Sequence, residues 1–429
     1  MFRSNVLACA ALIALTCAAL IAQANSAGED AYFQRRAAAW PQFRGPNRDD
    51  ISADTGLLKE WPKDGPPLVW QATGVGEGFS SVAIAGGKVY TLGNRDGNTY
   101  VHALDRSNGK MLWSARVGVA GGNLGSTPTV DGDRLYAIGQ DGDLVCVSVS
   151  DGAVRWHKNF KRDFGGEPGG WNYTESPLVD GDKIVCTPGA KDGLLVALNK
   201  LSGDVVWKCA SPFAESAAAY SSIVVADVGG IRHYVQLTAG GVVGVAAKDG
   251  ALLWSYDRLG HNTANIPTPI VLRDQVFCSA GYGKGGALLQ LAADGDRVRA
   301  KEVYLNPELT NKHGGLVVVG DYVYGDRDDS GRPFCADVKT GKVVWRKEER
   351  GPGRGSAAVT YADGHLYFRF DNGIMALVEA SPTGYKEIST FKIPNATSSS
   401  WAHPVVVGGK MYLREKDTVW CYDVKQPAK

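Results

Sequence analysis

Seven polar or aromatic residues stand just before short apolar runs that recur along the chain, and their side chains could bind a ligand. They are Glu175, Tyr220, Asn265, His313, Arg354, Trp401 and His403. A carboxylate and an amide oxygen can bind a cation, a guanidinium group can bind an anion, and aromatic rings can stack on a planar ligand. Which chemistry is available depends on whether the fold brings these residues together.

Motifs of common catalytic and metal sites are absent from the sequence. The seven histidines form neither HxxxH nor HExxH, and the cysteines form no CxxC, so a zinc site has no support. Acidic turns of the DGD type lack the further oxygen ligands of an EF-hand and are predicted to be hairpin turns. The glycine-rich GYGKGGALL (281–289) lies between strands rather than before a helix, which argues against a phosphate loop. The sequence therefore predicts no metal site and assigns no catalytic residue.

An internal repeat supplies the elements that must position the seven residues. In five copies a tryptophan follows a glycine by four residues: ALDRSNGKMLW (103–113), CVSVSDGAVRW (146–156), ALNKLSGDVVW (197–207), GVAAKDGALLW (244–254) and CADVKTGKVVW (335–345). Degenerate copies are QLAADGDRVRA (290–300) and EASPTGYKEI (379–388), and an eighth begins at CYDVK (421–425). The tryptophans of the first four copies follow one another at intervals of 43, 51 and 47 residues, a period typical of a β-propeller.

Each repeat predicts one blade of such a propeller. Residues 125–156 contain three alternating apolar runs joined by DGD, QDGD and SDG turns, in which Asp and Gly supply the positive φ of tight hairpins. The next tryptophan-led run adds a fourth strand. The eighth copy ends before its tryptophan, but GPPLVWQATG (65–74) carries Trp70 in the matching setting, so we expect residues 67–71 to supply the outer strand of the last blade. The predicted fold is all-β, an eight-bladed propeller of four-stranded antiparallel blades over residues 65–429.

The repeated tryptophans are predicted to join neighbouring blades. A tryptophan in this position can lie over the turn glycine of the next blade, where each ring would bury roughly 150–250 Å². The predicted docking residues are Trp70, Trp113, Trp156, Trp207, Trp254 and Trp345. We expect the small Ala or Cys at the other end of each copy to lie beneath the ring.

This Ala-x-Asp-x-x-x-Gly-x-x-x-Trp pattern resembles the tryptophan-docking motif of propellers of the pyrroloquinoline quinone (PQQ)-like family. It is closest at 103–113 and 335–345, and the resemblance covers the chain from about residue 65 to 429. The family includes PQQ-dependent alcohol dehydrogenases and the non-enzymatic propeller subunit of the outer-membrane β-barrel assembly machinery. WPQFRGPNRDD (40–50) is similar to the leader of secreted PQQ-like proteins.

The resemblance leaves two functions open. The dehydrogenases of the family use PQQ and Ca²⁺ and carry a pair of adjacent cysteines, which this chain lacks; Glu175 alone can be carried over as a calcium ligand. The leading hypothesis is therefore a binding or scaffolding protein, with no cofactor assigned. A PQQ- and calcium-dependent dehydrogenase of alcohols or sugars is the alternative, and it would use Glu175, Asn265, Arg354 and Trp401.

In either case the seven residues should meet at the propeller axis. Loops that lead into the innermost strands converge there, so we expect an axial funnel lined by Glu175, Tyr220, Asn265, His313, Arg354, Trp401 and His403. The alternative is that these side chains only line a solvated channel. Envelope proteins or a small ligand in the funnel are the expected partners.

The N-terminus and the overall composition bear on location. Arg3 and the apolar run 6–22, followed by small residues, predict a signal peptide over residues 1–26, an extension over 27–64, and export to the periplasm or the cell exterior. Neither Cys9 nor Cys17 fits a lipoprotein signal. The net charge of +1 gives no indication of a nucleic-acid partner, and we expect a monomer without a stable membrane span.

Overall fold

The structure is a computed structural model that describes residues 39–396 and 398–427. The predicted signal peptide lies outside these residues. Within them, the chain folds into eight four-stranded antiparallel sheets, which are the blades of the predicted propeller. Among the described residues no helix has the length and apolar character needed to cross a bilayer.

The strands follow one another in chain order through the blades. Blade 8 also takes β1 (Leu68–Thr73) from the start of the propeller. The bounds in blades 1 to 4 are β2 (Ala83–Ala85), β3 (Lys88–Arg95), β4 (Asn98–Asp105), β5 (Met111–Val119); β6 (Thr129–Asp131), β7 (Arg134–Ile138), β8 (Asp143–Ser148), β9 (Val154–Asn159); β10 (Leu178–Asp180), β11 (Lys183–Cys186), β12 (Leu195–Asn199), β13 (Val205–Cys209); and β14 (Val224–Val228), β15 (Ile231–Thr238), β16 (Gly241–Ala246), β17 (Leu252–Tyr256).

The remaining blades have the same order. Their bounds are β18 (Ile270–Leu272), β19 (Gln275–Ala280), β20 (Gly285–Asp294), β21 (Arg297–Asn306); β22 (Leu316–Val319), β23 (Tyr322–Asp326), β24 (Pro333–Asp337), β25 (Val343–Arg346); β26 (Ala357–Ala362), β27 (His365–Phe370), β28 (Ile374–Glu379), β29 (Glu387–Lys392); and β30 (Val405–Val407), β31 (Lys410–Glu415), β32 (Thr418–Asp423). Two short helices interrupt this pattern, α1 (Phe160–Phe164) and the 3-10 helix η1 (Pro307–Leu309).

The first strand of each blade is the innermost one. First strands of successive blades contact each other, as β2 does with β6 and β26 with β30. In blade 8 the innermost strand is β30 and the outer strand is β1, which pairs antiparallel with β32 through Trp70 and Cys421. Blade 8 therefore contains strands from both ends of the propeller sequence.

The hydrophobic core is divided among the interfaces between blades. Eight clusters of buried residues occur in the described ranges, and each joins two neighbouring blades, including blade 8 with blade 1. The cysteines belong to this core: all are buried and unpaired among the described residues, at positions 146, 186, 209, 278, 335 and 421. Free buried cysteine behaves as a small apolar side chain.

Four of the repeated tryptophans, Trp70, Trp113, Trp156 and Trp207, make the same two contacts with the next blade, and Trp345 makes only the first of them. Each indole N–H donates to a backbone carbonyl there, and for Trp113 the acceptor is Val149 O at 3.1 Å. The indole ring lies against the turn glycine, so that a Cβ added to Gly152 would approach Trp113 to 2.7 Å. The other four indoles that donate in this way are those of Trp70, Trp156, Trp207 and Trp345.

Trp254 differs from the other five, and so do the two degenerate repeats. The Trp254 indole N–H is buried without a partner, because the long β20–β21 hairpin carries its turn at Gly295 away from the indole. In blade 5 the docking contact is made by Tyr304, whose hydroxyl donates to Val338 O at 2.7 Å. In blade 7 it is Phe391 that lies against Gly65.

We predict that Trp113→Ala lowers the free energy of unfolding by about 3–5 kcal/mol, because the change leaves a cavity between blades 1 and 2. Urea denaturation followed by circular dichroism measures the loss. Trp171→Ala is the matched control, since Trp171 is 43% exposed outside the blade interfaces, and we expect it to cost less than about 1 kcal/mol. Similar losses in the two variants would contradict the prediction.

Candidate functional site

The segment that precedes the propeller strands fills the centre of the ring. Residues 40–54, which we call the axial plug, contact all eight blades. Trp40 exchanges two backbone hydrogen bonds with Ile84 of blade 1, at 2.8 and 2.7 Å, and Pro41 O accepts from Val130 N of blade 2. The domain boundary at residue 65 stays a prediction, but the plug packs as part of the propeller.

Two buried arginines of the plug bind carbonyl groups of the innermost strands and the loops before them. Arg48 donates to Ile223 O of blade 4 at 2.8 Å and also to the carbonyls of Ser176 and Pro177 in blade 3. Arg44 donates to Leu316 O of blade 6 at 2.7 Å, and to Thr268 O of blade 5. Inner strand edges carry unpaired carbonyls, and a guanidinium group has five N–H donors that can satisfy several of them.

The acidic end of the plug binds the two remaining blades. Tyr361 N of blade 7 donates to Asp50 O at 2.9 Å. The Asp50 carboxylate lies 3.0 Å from Nδ1 of His403 in blade 8 and 2.9 Å from Nε of Arg44. Asp50 thus binds Arg44 within the plug as well as two blades of the ring.

Above the plug lies a cavity of about 370 Å³ on the axis. Phe43 of the plug is part of its lining, whereas most other lining residues come from loops that lead into the innermost strands. The plug binds those strands further along the chain, at Ile84 and Val130 for example, so it lies deeper in the ring and forms the floor of the cavity. The cavity is therefore a closed-ended pocket, not an open channel.

Aromatic rings form much of the cavity wall. Trp401 lies between two of them, with its ring centroid 4.6 Å from Phe79 and 4.7 Å from His313. Trp171 packs edge-on against Tyr220, at 5.9 Å. Phe43 and Tyr282 complete the aromatic lining. A wall of this kind binds apolar or planar groups.

Most charged groups of the cavity are paired with a neighbour. The Lys312 ammonium forms an ion pair with Asp329, which also accepts from Ser356 Oγ at 2.6 Å. The Asp371 carboxylate accepts from Trp401 Nε1 at 2.8 Å. His313 differs, because its Nδ1 is buried without a partner. Burial lowers the pKa of His313 to about 4, so its ring is neutral at pH 7 and can hydrogen-bond a ligand.

The structure brings four of the seven predicted site residues to the cavity and leaves three outside its lining. Tyr220, His313, Trp401 and His403 line it. The Asn265 side chain donates to Thr238 O at 2.8 Å and holds a loop. Arg354 is exposed and is not part of the cavity lining. Glu175 is buried and is not part of the cavity lining. A ligand-binding role for any of the seven stays a prediction.

The Glu175 carboxylate has partners of its own. It accepts from Thr187 N at 2.8 Å and from Thr187 Oγ1 at 3.1 Å. Burial raises the pKa of Glu175 to about 8, against the effects of these bonds and of the Arg48 charge. Burial likewise lowers the pKa of Arg48 to about 10. Glu175 thus lies beside the plug and outside the cavity.

The residues present do not match the calcium and PQQ site that the resemblance would imply. Glu175, the one ligand position carried over, has both oxygens bound to Thr187 and lies outside the cavity. Across residues 39–396 and 398–427, no group of three or more His, Cys, Asp or Glu side chains could hold a metal ion. We therefore derive no step that uses PQQ.

Several cavity residues were not among the seven predicted from the sequence. Asp329, Asp371 and Tyr282 lie in loops between the second and third strands of blades 6, 7 and 5, which open on the same end of the ring. Phe43 comes from the plug. The spacing of the blades could have pointed to the loop residues, but no pattern in the sequence indicates that the plug enters the ring.

One of these loops carries buried carboxyl groups. In the β23–β24 loop, Asp326 is buried beside the backbone amides of Gly331 and Arg332, and Asp328 lies beside the Thr310 side chain and the Tyr282 amide. Burial raises the pKa of Asp326 well above its usual range, although the backbone amides of Arg332 and Gly331 oppose this rise.

Comparison with known proteins agrees with the repeat analysis. A sequence family described as "Outer membrane protein assembly factor BamB" matches residues 63–159 and 97–347. The outer membrane protein assembly factor BamB of Shewanella oneidensis is 23% identical over 373 residues, or 81% of this chain and 86% of that protein. Tetrathionate hydrolase of Acidithiobacillus ferrooxidans is 24% identical over 325 residues, which are 73% of this chain and 53% of that enzyme.

Solved structures share the propeller fold at low sequence identity. BamB from Moraxella catarrhalis superposes with a TM-score of 0.58 at 16% identity, covering 82% of this chain and 95% of that one. The quinohemoprotein alcohol dehydrogenase from Comamonas testosteroni gives 0.62 at 13% identity, covering 92% of this chain and 82% of that one. At these identities the likeness concerns the fold alone.

We predict that Arg48→Met destabilises the protein by roughly 2–4 kcal/mol, because three buried carbonyls lose their donor. Urea denaturation measures the change. Arg155→Met is the control, since Arg155 is exposed on the outer strand β9 and should cost less than about 0.5 kcal/mol. Equal losses would mean that the plug contributes little to stability.

We also predict that His313 makes the protein less stable in acid. The unfolded chain binds the proton near pH 6.5, but the folded state does so only near pH 4, so stability falls as the pH drops through this window. In His313→Gln, the loss between pH 6.5 and pH 4 should be smaller by roughly 2 kcal/mol. Parallel pH profiles of urea stability for the two proteins would contradict this.

Proposed function

The chain belongs to the family described as Outer membrane protein assembly factor BamB, and we propose that it is an exported propeller that acts as a binding or scaffolding protein in the bacterial cell envelope. The family match and the curated BamB relatives support this proposal. The predicted signal peptide, which lies outside the described residues, supports export.

The observation that carries the proposal is the nature of the axial cavity. Aromatic rings form its wall, Lys312 is paired with Asp329, and the Asp371 carboxylate accepts a hydrogen bond from Trp401 Nε1. No serine or cysteine is bonded to a histidine in the lining to give an activated nucleophile. Such a pocket is suited to holding an apolar or planar group of a partner.

The rim supplies the contacts that would orient such a group. Tyr282 is 44% exposed at the mouth, with the Lys312 ammonium 5.1 Å from its ring centroid. Deeper in the pocket, the free Nδ1 of His313 can bond to a polar atom of the ligand. We propose that an aromatic or apolar side chain of an envelope protein enters the pocket while its backbone lies across the rim.

The dehydrogenase alternative has weaker support. It needs a group of cation ligands at the axis, and Glu175, the position carried over from that resemblance, bonds to Thr187 behind the wall. The solved dehydrogenase resembles this chain in fold alone. We therefore propose binding rather than redox chemistry as the function.

We predict that deletion of the gene in its native host lowers the amounts of β-barrel proteins in the purified outer membrane. Quantitative mass spectrometry measures the change, and the wild-type gene should restore it. Tyr282→Ser, which alters the exposed rim, should restore it poorly because the partner loses its contact at the mouth. Leu201→Ala is the control, since Leu201 is 56% exposed in a turn away from the cavity.

Unchanged outer-membrane proteins in the deletion strain would contradict this function. The purified protein should also give no dye reduction with PQQ, Ca²⁺ and a panel of alcohols and aldoses. Turnover in that assay would favour the dehydrogenase alternative.

A further inference from the structure

A histidine at the floor of the axial cavity has two ring nitrogens in different surroundings. Nδ1 of His403 lies 3.0 Å from Oδ2 of Asp50 in the plug, and Arg44 Nε lies 2.9 Å from the same oxygen. A carboxylate accepts hydrogen bonds and donates none, so the proton on Nδ1 points to Asp50 and the neutral ring keeps its acceptor lone pair on Nε2. The plug thus determines which nitrogen of His403 is available to a ligand.

Nε2 of His403 is the ring nitrogen that faces the cavity. His403 is 7% exposed and belongs to the cavity lining, while Asp50 occupies the opposite side of its ring. Phe43, on the pocket floor, packs edge-on against this ring with the centroids 5.0 Å apart. Within residues 39–396 and 398–427, Nε2 has no hydrogen-bond partner, yet it is not one of the fully buried atoms. An open acceptor therefore lies at the floor of a largely aromatic pocket.

The two carboxylates of the lining differ from His403, because each already has a donor. Asp329 is paired with the Lys312 ammonium. Asp371 accepts from Trp401 Nε1 at 2.8 Å. A ligand that fills the pocket and removes water from Nε2 of His403 must therefore supply a donor of its own.

We propose, on the basis of the function given above, that the group entering the pocket is a tyrosine side chain of the partner and that its hydroxyl donates to Nε2 of His403. A cavity of about 370 Å³ lies near the lower end of the range for ligand pockets, roughly 300–1,000 Å³, and suits one aromatic side chain. The surrounding rings offer edge and face contacts to the phenol ring.

The position of the acceptor favours tyrosine over the other aromatic side chains. His403 lies at the floor, so a side chain that enters from the mouth brings the tip of its ring to Nε2. Tyrosine carries its O–H at that tip. Tryptophan carries its N–H at the side of the indole, and phenylalanine has no donor.

The hydroxyl should decide the order of affinities. A site built to hydrogen-bond a ligand hydroxyl rejects the analogue that lacks it, because the buried acceptor then loses water without gaining a partner. A pocket that offers apolar contact alone gives the opposite order, since a hydroxyl group costs free energy to remove from water. A phenol and its analogue without the hydroxyl therefore distinguish the two kinds of pocket.

Calorimetric titration of the purified protein with p-cresol and toluene makes this comparison, at about pH 8, where ordinary histidine is neutral. We expect p-cresol to bind with a roughly sub-millimolar Kd and at least about tenfold more tightly than toluene. The blocked tripeptide acetyl-Ser-Tyr-Ser-amide should bind at least as tightly as p-cresol. Its phenylalanine analogue should bind at least about tenfold more weakly than the tyrosine peptide.

His403→Asn tests the role of the acceptor. The amide N–H of the new side chain can still donate to Asp50, but none of its atoms reaches the position of Nε2. We expect this variant to bind toluene about as well as the wild type and to lose the preference for p-cresol. His365→Asn is the matched control, since the half-buried His365 of β27 lies outside the cavity lining, and it should keep the preference.

The possible results separate the tyrosine assignment from the proposed function. Toluene binding as tightly as p-cresol, or more tightly, would leave an apolar pocket and overturn the tyrosine assignment alone. Binding of p-cresol without binding of the tyrosine peptide would assign the pocket to a free phenol and overturn it as well. A p-cresol preference retained in His403→Asn would overturn the role of His403. Absence of binding by all four ligands would contradict both proposals. If His403→Asn does not fold, the wild-type comparisons still decide.

Discussion

The unpaired backbone groups at the inner edges of the eight innermost strands are the constraint on which the rest of the structure depends. Within each blade, neighbouring strands pair their backbone N–H and C=O groups with each other. The edge of the innermost strand, which faces the axis, has no further strand to pair with. The axial plug meets this need. Arg44 and Arg48 supply donors for carbonyls of four blades, and backbone bonds or Asp50 reach the other four.

The plug also determines what the propeller can bind. By filling the deeper part of the axis, it turns a channel into a pocket, and Phe43 becomes the pocket floor. Above the floor, each blade contributes different residues, because only the blade interfaces need the repeated ones. The interfaces explain why the fold is stable, and the dissimilar loops supply the different side chains that line the pocket.

The sequence predicts the architecture well because the interfaces repeat. Gly152 and Trp113 occupy positions that recur at a fixed spacing, and that spacing is enough to predict blades and their number. Where the spacing changes, the contact changes with it: Tyr304 docks in blade 5, and Trp254 has no acceptor. A pattern search on tryptophan alone misses such replacements.

The site was less predictable, since it depends on contacts between distant parts of the chain. Position before an innermost strand indicated His313 and Trp401, but it could not show that the exposed Arg354 and the buried Glu175 lie outside the cavity lining. Arg48 binds carbonyl groups of residues that are 128 and 175 positions away in the sequence, and no motif around Arg48 predicts these contacts.

The most direct measurement of the central claim is amide hydrogen exchange in the wild-type protein. Ile84, Val130 and Tyr361 belong to innermost strands, and their N–H groups donate to the plug. If the plug is an integral part of the ring, these three amides exchange as slowly as those in the interior of β3. Exchange faster by several orders of magnitude, with β3 still protected, would show that the plug leaves the axis readily and would contradict this account.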